Sequence, residues 1–364
     1  MATIAYITPY FKPTSNAASI RASSFIDELI KKHDVTIFTA LKNEKYNTIS
    51  CYSKLPSNKD KNIIRLIKEF IFSFELFIRI ICSKTREVYI ITSPPFFIAI
   101  FAFFAVKIKR PEKIILDIRD IYPEVFFQHG IMRSDSLVGK LLMKVERFMY
   151  SNSNYVVTVT EGLKKSIEPY NSNVKIVRNG YDEELFRPNA EKYDDFTFVF
   201  HGTMGKFQNI ELLSEVIKYC DENHKNLKFL VIGHGPKDYL IKNLRCKNFK
   251  YIENVQYKEI PNLISKAHLG LSFRTDDKIS KESFPVKIFE YIGVGLPVVV
   301  TPISEAGNIV YENQFGIQNN NNIEEIIDSI LFIKENYATL VSNIEKNRLS
   351  FTRKSHFEIL DKLI

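Results

Sequence analysis

Hydrophobic and polar positions alternate in blocks along the whole chain. Short apolar runs at 2–8, 35–39 and 88–92 are separated by longer stretches whose apolar residues recur every three or four positions. Such runs are typical of buried parallel strands, and the longer stretches have the period of helices. The alternation begins again at 196, after a polar run at 189–195. The pattern therefore predicts two doubly wound α/β domains, joined near residue 189.

Two of the predicted helices in the first half are unusually apolar. They cover residues 62–82, which charged residues interrupt, and residues 96–106, which three basic residues follow at 107–110. A membrane-spanning helix needs about 20 consecutive apolar residues, so neither is expected to cross a bilayer. For 62–82, a core helix and a helix that faces a membrane surface fit equally well, whereas 96–106 is more typical of a core helix.

Composition and charge narrow the class of protein. The 364 residues are 45% apolar and 13% aromatic, which is typical of a globular chain. The net charge of +8 favours a polyanionic partner. Basic and aromatic residues do not interleave as they do in nucleic-acid-binding proteins, so we expect an anionic membrane surface and no nucleic acid. Four scattered cysteines and a start without a recognisable signal peptide predict a cytoplasmic protein with reduced thiols, and no spacing indicates a metal site.

The most informative stretch is 281–300. Pro285 is a favourable first helical residue and Ser283 a suitable cap, so we expect a helix from Pro285 with Glu282 in the loop before it. Glu290 then falls in the second turn, and its side chain leans back toward the helix N-terminus. Free amides at that end bind phosphate, Lys287 adds a cation, and two carboxylates can accept hydrogen bonds from sugar hydroxyls. The stretch predicts a nucleotide-sugar site, although a surface helix with a Lys/Glu pair would show the same spacing.

The run Glu-Ser-Phe-x-x-Lys-x-x-Glu-Tyr, followed by Gly-x-Pro-Val-Val, resembles the signature of family 4 of the retaining glycosyltransferases. Glu282 and Glu290 stand at the two glutamates of its E-x7-E motif. The resemblance implies that Glu282 is catalytic and holds the transferred sugar together with the backbone of Ser283 and Phe284. It also implies that Glu290 binds the ribose hydroxyls of the donor.

The same resemblance implies the GT-B fold, which consists of two Rossmann-like domains facing a cleft. Residues 1–188 would bind the acceptor and residues 189–345 the nucleotide-sugar, while the last helix, about 346–364, would pack back on the N-terminal domain. The implied reaction transfers a hexosyl or N-acetylhexosaminyl group from a nucleotide diphosphate, with retention of anomeric configuration and without a metal or other cofactor.

A glycine-bearing loop after 196–201 is a second candidate for donor contact. Gly202 and Gly205 allow close approach of a ligand, and Lys206 can neutralise a diphosphate. Members of the family resembled here carry an Arg and a Lys where this chain has Thr203 and Gln208. Charge neutralisation is therefore expected from Lys206, Lys287 or Arg274, and Lys287 is also predicted to be catalytic.

Two further strand ends complete the predicted donor site. Gly235 lies in a Gly-x-Gly-Pro turn after 229–232, and it resembles a turn that the family has there. Arg274 follows the apolar run 269–273 and stands just before the E-x7-E stretch, where contact with the donor is expected.

The first loop of the chain, at 9–16, is expected to contact the acceptor. It follows the first predicted strand, at the edge of the sheet where open α/β folds bind ligands. Ala17 and Ala18 stand where the family has a glycine pair. We predict Asn16 and Arg21 as acceptor-binding residues; an exposed Arg in the first helical turn is the equally compatible alternative for Arg21.

A charged cluster lies at the carboxyl end of the strand predicted to begin at residue 113. Asp117, Arg119 and Asp120 lie there, before Tyr-Pro-Glu at 122–124. We predict Asp120 as catalytic and Arg119 as acceptor-binding, while an Arg held between two carboxylates as a structural ion pair is equally compatible. Many family members carry a histidine near this point, and His129 is the less favoured candidate. With Ser-Pro-Pro at 93–95, the cluster resembles a branch of bacterial surface-polysaccharide enzymes similar to fucosamine transferases.

These expectations converge on sugar transfer to a saccharide acceptor in O-antigen or capsule synthesis. The two basic, apolar helices favour a polyprenyl-diphosphate-linked acceptor at the inner face of the bacterial plasma membrane, where the protein would be peripheral. Two alternatives stay open, namely a nucleotide-sugar epimerase of the same fold and a catalytically silent glycosyltransferase partner. A nicotinamide dehydrogenase is disfavoured because no Gly-x-Gly-x-x-Gly follows the first strand.

Overall fold

Two parallel β-sheets organise the chain. The computed structural model describes residues 1–14, 16–56, 62–128, 130–189 and 191–364. They form two units, the first consisting of Met1–Arg178 and Phe357–Ile364, and the second of Asn179–His356. In both sheets side chains of alternating direction enter hydrophobic clusters on opposite faces, as Ile4 and Ala5 do in the first strand. This burial on both faces explains why the strands read as continuous apolar runs.

The first unit is a seven-stranded sheet with six helices that lie wholly within it. In chain order its elements are β1 (Thr3–Ile7), α1 (Ala17–Leu29), β2 (Asp34–Thr39), β3 (Thr48–Ser50), α2 (Asn62–Cys82), β4 (Val88–Ser93), α3 (Phe96–Lys109), β5 (Lys113–Ile118), α4 (Glu124–Gln128), α5 (Leu137–Ser151), β6 (Tyr155–Thr158), α6 (Glu161–Ile167) and β7 (Val174–Ile176). The strand order is β3-β2-β1-β4-β5-β6-β7. Ile4 of β1 pairs with both Val35 and Val88, so the direction of winding reverses between β1 and β4.

The second unit repeats this plan with six strands. Its elements are β8 (Phe196–His201), α7 (Ile210–Asn223), β9 (Leu227–Ile232), α8 (Tyr239–Lys242), β10 (Phe249–Ile252), α9 (Ile260–Ile264), β11 (Leu269–Phe273), α10 (Lys278–Glu282), α11 (Val286–Gly293), β12 (Val298–Thr301), α12 (Glu305–Glu312), β13 (Gly316–Gln318), α13 (Ile323–Glu335), α14 (Tyr337–Asn347) and the start of α15 (Arg353–Asp361). The strand order is β10-β9-β8-β11-β12-β13. Winding therefore reverses between β8 and β11, and ligands of open α/β sheets bind at such switch points.

The chain passes from the first unit to the second between Arg178 and Asn179, rather than after residue 188. The segment that follows belongs to the second unit because Tyr181 and Phe186 are fully buried in one of its hydrophobic clusters. On the return, only Phe357–Ile364 belongs to the first unit, instead of a helix from about 346. The helices α13, α14 and α15 at this end of the chain are separate.

The apolar stretch 62–82 is the single helix α2, and it has two different faces. Phe72, Leu76 and Ile80 are buried in the core of the first unit, whereas Phe70 and Phe74 are exposed. Neither of the alternatives drawn from the sequence describes the whole helix, because one face packs in the core and the other does not. In the part of the chain that the structure describes, no helix combines the length and the apolar character needed to span a membrane.

Candidate functional site

The candidate site lies at the switch point of the second sheet, where the loops after β8 and β11 meet. The Asn209 amide donates to the Phe273 carbonyl at 3.2 Å, and the Thr275 amide donates to the Phe207 carbonyl at 3.2 Å. The two loops are thus held together by their backbones. This arrangement connects the loop that carries Gln208 with the loop that carries Arg274.

The glycine-bearing loop after β8 packs against the equivalent loop after β9. The Gly202 amide donates to the Ile232 carbonyl and the Met204 amide to the His234 carbonyl, both at 2.9 Å. Gly202 has φ +122°, and Gly235 has φ +156° in a place where a Cβ would lie 2.6 Å from the Met204 carbonyl oxygen. A larger residue at 235 would push the loops apart. The predicted donor-binding glycines therefore shape the floor of the site.

The loop around Glu282 differs in detail from the expected structure. Glu282 is the last residue of the short helix α10 and is partly exposed, and Ser283 ends that helix. Helix α11 begins at Val286 with Pro285 as its N-cap, and Pro285 offers no side-chain cap. The roles predicted for Ser283 as a cap and for Pro285 as the first helical residue are therefore wrong. At this helix start the Ile288 amide donates to the Pro285 carbonyl at 3.1 Å, and phosphate binding by the other amides of the first turn stays a prediction.

Phe284 has a buried side chain. Its ring stacks on Phe289 at 4.2 Å between centroids. Only the backbone of Phe284 is therefore suited to contact a ligand, in keeping with the role predicted for it.

Lys287 is a buried cation, only 8% exposed. Its Nζ donates to Gln208 Oε1 at 3.0 Å and lies 3.8 Å from the centre of the Phe200 ring. Burial, together with the nearby charge of Arg274, lowers the pKa of Lys287 to about 7. A Cβ on Gly202 would lie 3.5 Å from Nζ, so the cation faces the glycine loop. Gln208 is thus a direct partner of Lys287.

Glu290 is 3% exposed and lies between two polar side chains. Tyr257 Oη donates to Glu290 Oε1 at 2.9 Å, and His201 Nε2 is 3.2 Å from Oε2. Burial raises the pKa of Glu290 to about 7 despite the Tyr257 hydrogen bond. Burial also lowers the pKa of His201 to about 3, and the charge of Lys287 adds to this shift. His201 is therefore neutral at physiological pH.

The remaining predicted donor residues surround this centre. Arg274 donates its amide to the Thr301 carbonyl at 2.9 Å, and its guanidinium lies 6.0 Å from the Phe207 ring. Lys206 is exposed on the same loop as Gly205. Among the described residues, no group of three or more His, Cys, Asp or Glu side chains is arranged to hold a metal ion. Independence of metals and cofactors stays a prediction.

The first unit corrects the interpretation of Arg21. Its side chain is 2% exposed, its Nε and Nη2 donate to the two carboxylate oxygens of Asp117 at 3.1 and 3.0 Å, and Nη1 donates to the Arg178 carbonyl. This burial excludes an exposed Arg. Asp117 binds Arg21 in a bidentate way, which gives the side chain a structural role, and acceptor binding by Arg21 stays a prediction.

Arg119 and Asp120 follow β5 as predicted, but Arg119 is not held between the two neighbouring aspartates, because Asp117 pairs with Arg21. The Arg119 amide donates to the Ser93 carbonyl at 3.0 Å, and Nη2 donates to the Pro94 carbonyl at 3.1 Å. Asp120 is half-buried near the partly buried Tyr122, whose pKa rises through desolvation and through the charge of Asp120. The less favoured His129 lies outside the described residues.

Asn16 has a clear local role in the first unit. It is the N-cap of α1, and its side chain accepts the Ser19 amide at 2.8 Å. A cap is satisfied locally and needs no ligand. Acceptor binding by Asn16 stays a prediction.

Comparison with known proteins gives a family match for most of the second unit and fold matches along the chain. Residues 182–350 match the family model described as Glycosyl transferases group 1. The chain has the GT-B fold. Three solved structures share it along the chain: sucrose-phosphate synthase from Thermosynechococcus elongatus (TM-score 0.75, 14% identity, 100% of this chain and 98% of that one), HepE of Anabaena in complex with UDP (0.73, 11%, 100% and 99%), and WaaG, a glycosyltransferase involved in lipopolysaccharide biosynthesis (0.64, 12%, 97% and 98%).

A curated relative agrees with the family match. One of the subunits of human phosphatidylinositol N-acetylglucosaminyltransferase is 22% identical over 201 residues, which cover 52% of this chain and 40% of that protein. The chain thus spans less than half the length of this relative. The matched family segment contains all the predicted donor residues of the second unit.

Sequence reasoning missed His201, Tyr257 and the contact of Gln208 with Lys287. His201 and Glu290 are 89 positions apart, and Tyr257 lies in a short turn before α9. The one signal in the sequence was the position of His201 directly before Gly202. A histidine at the end of a buried strand is otherwise unremarkable without the fold.

Proposed function

We propose that the protein is a retaining glycosyltransferase that moves a sugar from a nucleotide-diphosphate donor to a saccharide acceptor. The observation that carries this proposal is the buried Lys287–Glu290 pair on α11, at the switch point and inside the segment that matches the group 1 model. A buried cation beside a buried carboxyl group is costly to fold, and such groups are concentrated at functional sites.

The charges of the site suit a leaving nucleoside diphosphate. Lys287, the free amides at the start of α11 and the loop at Gly202–Gly205 would bind the phosphates, with Lys206 and Arg274 adding positive charge. Fixed donors directed at developing negative charge are usually the largest contribution to catalysis. Glu282, with the backbone of Ser283 and Phe284, would hold the transferred sugar.

The donor is proposed to be a UDP-sugar of the hexosyl or N-acetylhexosaminyl class. HepE is similar in fold and binds UDP, and the human relative is named for N-acetylglucosaminyl transfer. Thermal unfolding in the presence of UDP-, GDP- and dTDP-sugars tests this choice. A ligand at 100 times its Kd stabilises the folded state by about 2.7 kcal/mol. The proposal expects one nucleotide class to stabilise the protein and the Lys287→Met variant to lose the effect.

Activity itself separates the proposed reaction from its alternatives. Incubation of the stabilising donor without acceptor should leave the sugar configuration unchanged, whereas a new nucleotide-sugar isomer would indicate an epimerase. Transfer to a lipid-linked saccharide, with retained anomeric configuration and in the presence of EDTA, is the expected result. Absence of transfer with every donor and acceptor, despite donor binding, would favour the silent partner.

We also propose a lipid-linked acceptor, a polyprenyl-diphosphate saccharide of O-antigen or capsule synthesis. Asp120, Arg119 and Asn16 of the first unit are the residues proposed to act on it. Two similar proteins support the choice: one is named for phosphatidylinositol and the other for lipopolysaccharide biosynthesis.

A surface of the first unit supports peripheral binding to an anionic membrane at the inner face of the plasma membrane. Phe70 of α2 meets Phe101 of α3 edge to face at 5.4 Å, and Phe104 of α3 stacks on Phe148 of α5 at 6.1 Å. These ring contacts connect the exposed apolar side chains of the three helices, which are Ile64, Leu66, Ile67, Phe70, Ile71, Phe74, Ile78, Phe104, Ile108, Leu137, Val138, Leu141 and Phe148.

Basic residues outnumber acidic ones on the three helices of this surface, α2, α3 and α5. They carry eight basic and three acidic residues. Of the acidic ones, Glu75 accepts the amides of Tyr52 and Ser53, and Glu146 is buried against Tyr150. An apolar surface with basic residues fits an anionic bilayer, where each nearby cation contributes about 1 kcal/mol.

Vesicle co-sedimentation tests the membrane proposal. Phosphatidylglycerol vesicles should carry the protein down in low salt and phosphatidylcholine vesicles much less. Phe74→Asp should abolish this binding, whereas Tyr311→Asp, on a similarly exposed aromatic residue of the second unit, should not. Equal binding of both variants would contradict the assignment of this surface.

A further inference from the structure

His201, the last residue of β8, is held in a fixed orientation at the candidate site. Its amide donates to Tyr291 Oη at 3.2 Å, and the two rings meet at right angles with centroids 5.1 Å apart. The side chain is 7% exposed. A residue fixed in this way presents its ring nitrogens in a defined direction.

The direction of Nε2 is toward Glu290, yet the contact is incomplete. Nε2 lies 3.2 Å from Glu290 Oε2, but the alignment is not that of a hydrogen bond, and within the described residues the buried Nε2 has no other partner. A buried polar atom without a hydrogen bond costs about 1–3 kcal/mol. Such an atom, directed at a carboxyl group in a candidate ligand site, indicates a place for a ligand atom.

A sugar hydroxyl has the hydrogen-bonding capacity that this place requires. It can donate to one group and accept from another at the same time. Neutral His201 supplies one N–H, and Glu290 Oε2 is free of the Tyr257 hydrogen bond, which goes to Oε1. One hydroxyl beside this pair of atoms, within hydrogen-bond distance of both Nε2 and Oε2, would satisfy both.

We propose that His201 and Glu290 together bind a ribose hydroxyl of the nucleotide, so that His201 determines the preference for ribonucleotide over 2′-deoxyribonucleotide donors. The inference rests on the proposed function, in which Glu290 receives the ribose. It adds a second group to that contact. A site built for a hydroxyl discriminates strongly against an analogue without it, because its buried polar groups are then left unpaired.

The position of the other charged groups supports the same assignment. The charge of Lys287 helps to lower the pKa of His201. Burial raises the pKa of Glu290, and the Tyr257 hydrogen bond and the charges of Arg353 and Lys287 oppose that rise. Phosphate bound at Lys287 and ribose bound at His201 and Glu290 would follow the order of these groups in a nucleoside diphosphate. Glu290 is three residues after Lys287 on α11, which places both on one face of the helix.

The test compares the binding of UDP and 2′-deoxy-UDP by calorimetry, with GDP and 2′-deoxy-GDP as a second pair. The wild-type protein should prefer the ribonucleotide about tenfold or more. His201→Phe should reduce this ratio to near one, and His201→Gln, which keeps an N–H donor, should retain part of it. His268→Phe is the matched control, because His268 lies just before β11, at the opposite ends of the strands from His201, where its Nδ1 accepts the Thr197 amide.

The outcomes separate this inference from the proposed function. Binding of UDP by the wild type with the same ratio in His201→Phe would overturn the role of His201 and leave the proposed function intact. Failure of the folded wild type to bind any nucleoside diphosphate would overturn both. Unfolding curves check that each variant is folded, and His201→Gln provides the answer if His201→Phe is not.

Discussion

Each unit carries a cluster of buried charged groups, and the two clusters differ in how their charges are satisfied. In the first unit, Arg21 and Asp117 form a bidentate pair near the carboxyl end of β5, and a third nitrogen of Arg21 binds a backbone carbonyl. In the second unit, Lys287 donates to a neutral partner, Gln208, and Glu290 keeps unused acceptor capacity.

This contrast fits a structural role for the cluster of the first unit and the proposed ligand-binding role for that of the second. A pair that satisfies its own charges stabilises a fold and has little left for a ligand. Groups whose pKa values move toward neutrality, as those of Lys287 and Glu290 do, are held in an unfavourable state that a ligand can relieve. Both clusters lie on Rossmann-like sheets, so the fold alone does not distinguish them. The hydrogen-bond partners do.

The largest expected effect is the loss of stability in Arg21→Met. This change leaves the Asp117 carboxylate buried without its cation, which costs about 3–5 kcal/mol. Urea unfolding, followed by amide exchange in β5, measures the loss in the first unit. The double variant Arg21→Met/Asp117→Leu should recover much of it. A loss below about 1 kcal/mol in the single variant would remove the contrast between the clusters.

Lys287→Met should lower activity and raise stability, whereas Arg21→Met lowers stability. Turnover should fall by about 10²–10³-fold, because a cation directed at the leaving diphosphate is lost. The free energy of unfolding of the second unit should rise, since a buried charge that is hydrogen-bonded to a neutral amide is removed. Lys206→Met, on an exposed residue of the neighbouring loop, is the control and should affect turnover much less. A Lys287→Met protein that loses stability and keeps its activity would assign Lys287 to the structural class.

Glu282→Gln should lower turnover by about 10²-fold with little change in stability. Glu282 is partly exposed at the end of α10, and substitutions at such positions usually change stability by less than about 0.5 kcal/mol. Steady-state kinetics and thermal unfolding measure the two effects separately. Unchanged transfer rates would remove Glu282 from the proposed site.

The stability of the second unit should depend on pH through Glu290. Its pKa in the folded protein, about 7, is raised above the ordinary value of 4.5, so its stabilising contribution is complete below 4.5 and is lost as the pH rises through 7. Glu290→Gln should therefore be more stable than the wild type at pH 8 by about 1–3 kcal/mol, and not at pH 4. Denaturant unfolding at both pH values measures the difference. An equal effect at both would show that Glu290 does not titrate in this range.

The smallest expected effect is that of Asn16→Ala. Loss of the cap on α1 should destabilise the first unit by about 1 kcal/mol. If Asn16 also binds the acceptor, as the sequence predicts, the KM for the acceptor should rise as well. A change in stability alone would limit Asn16 to capping.

The sequence predicts the fold well because the strands are buried on both faces. Continuous apolar runs therefore mark nearly every strand, and parallel pairing follows from the helices between them. The boundary between the two units and the bounds of short helices were less predictable. Tyr181 and Phe186 lie in a turn-rich segment that reads as a linker, and only their burial assigns them to the second unit. Helix α10 was missed because its cap, the Asp277 carboxylate that accepts the Ser280 amide, precedes a helix of five residues.

The candidate site was predictable where its residues are close in sequence. Lys287 and Glu290 share one helix, so their spacing places them on one face. His201 and Arg21 could not be assigned in the same way, because their partners Glu290 and Asp117 are 89 and 96 positions away. An Arg after the first strand would suit a ligand site if no carboxylate were close enough to pair with it. Only the packed structure shows that Asp117 pairs with Arg21.

A crystal structure with bound UDP, or with whichever nucleoside diphosphate binds, tests the central claim most directly. The account predicts the phosphates within hydrogen-bond distance of Lys287 Nζ and the ribose at Glu290 and His201. A groove of about 380 Å³ near the amino ends of β8, β9 and β10, lined by Lys228, Lys247 and Lys250 and also by Asp194 and Asp195, is the competing place for a nucleotide. A nucleotide bound there, with Glu290 contacting only Tyr257 and His201, would contradict the account.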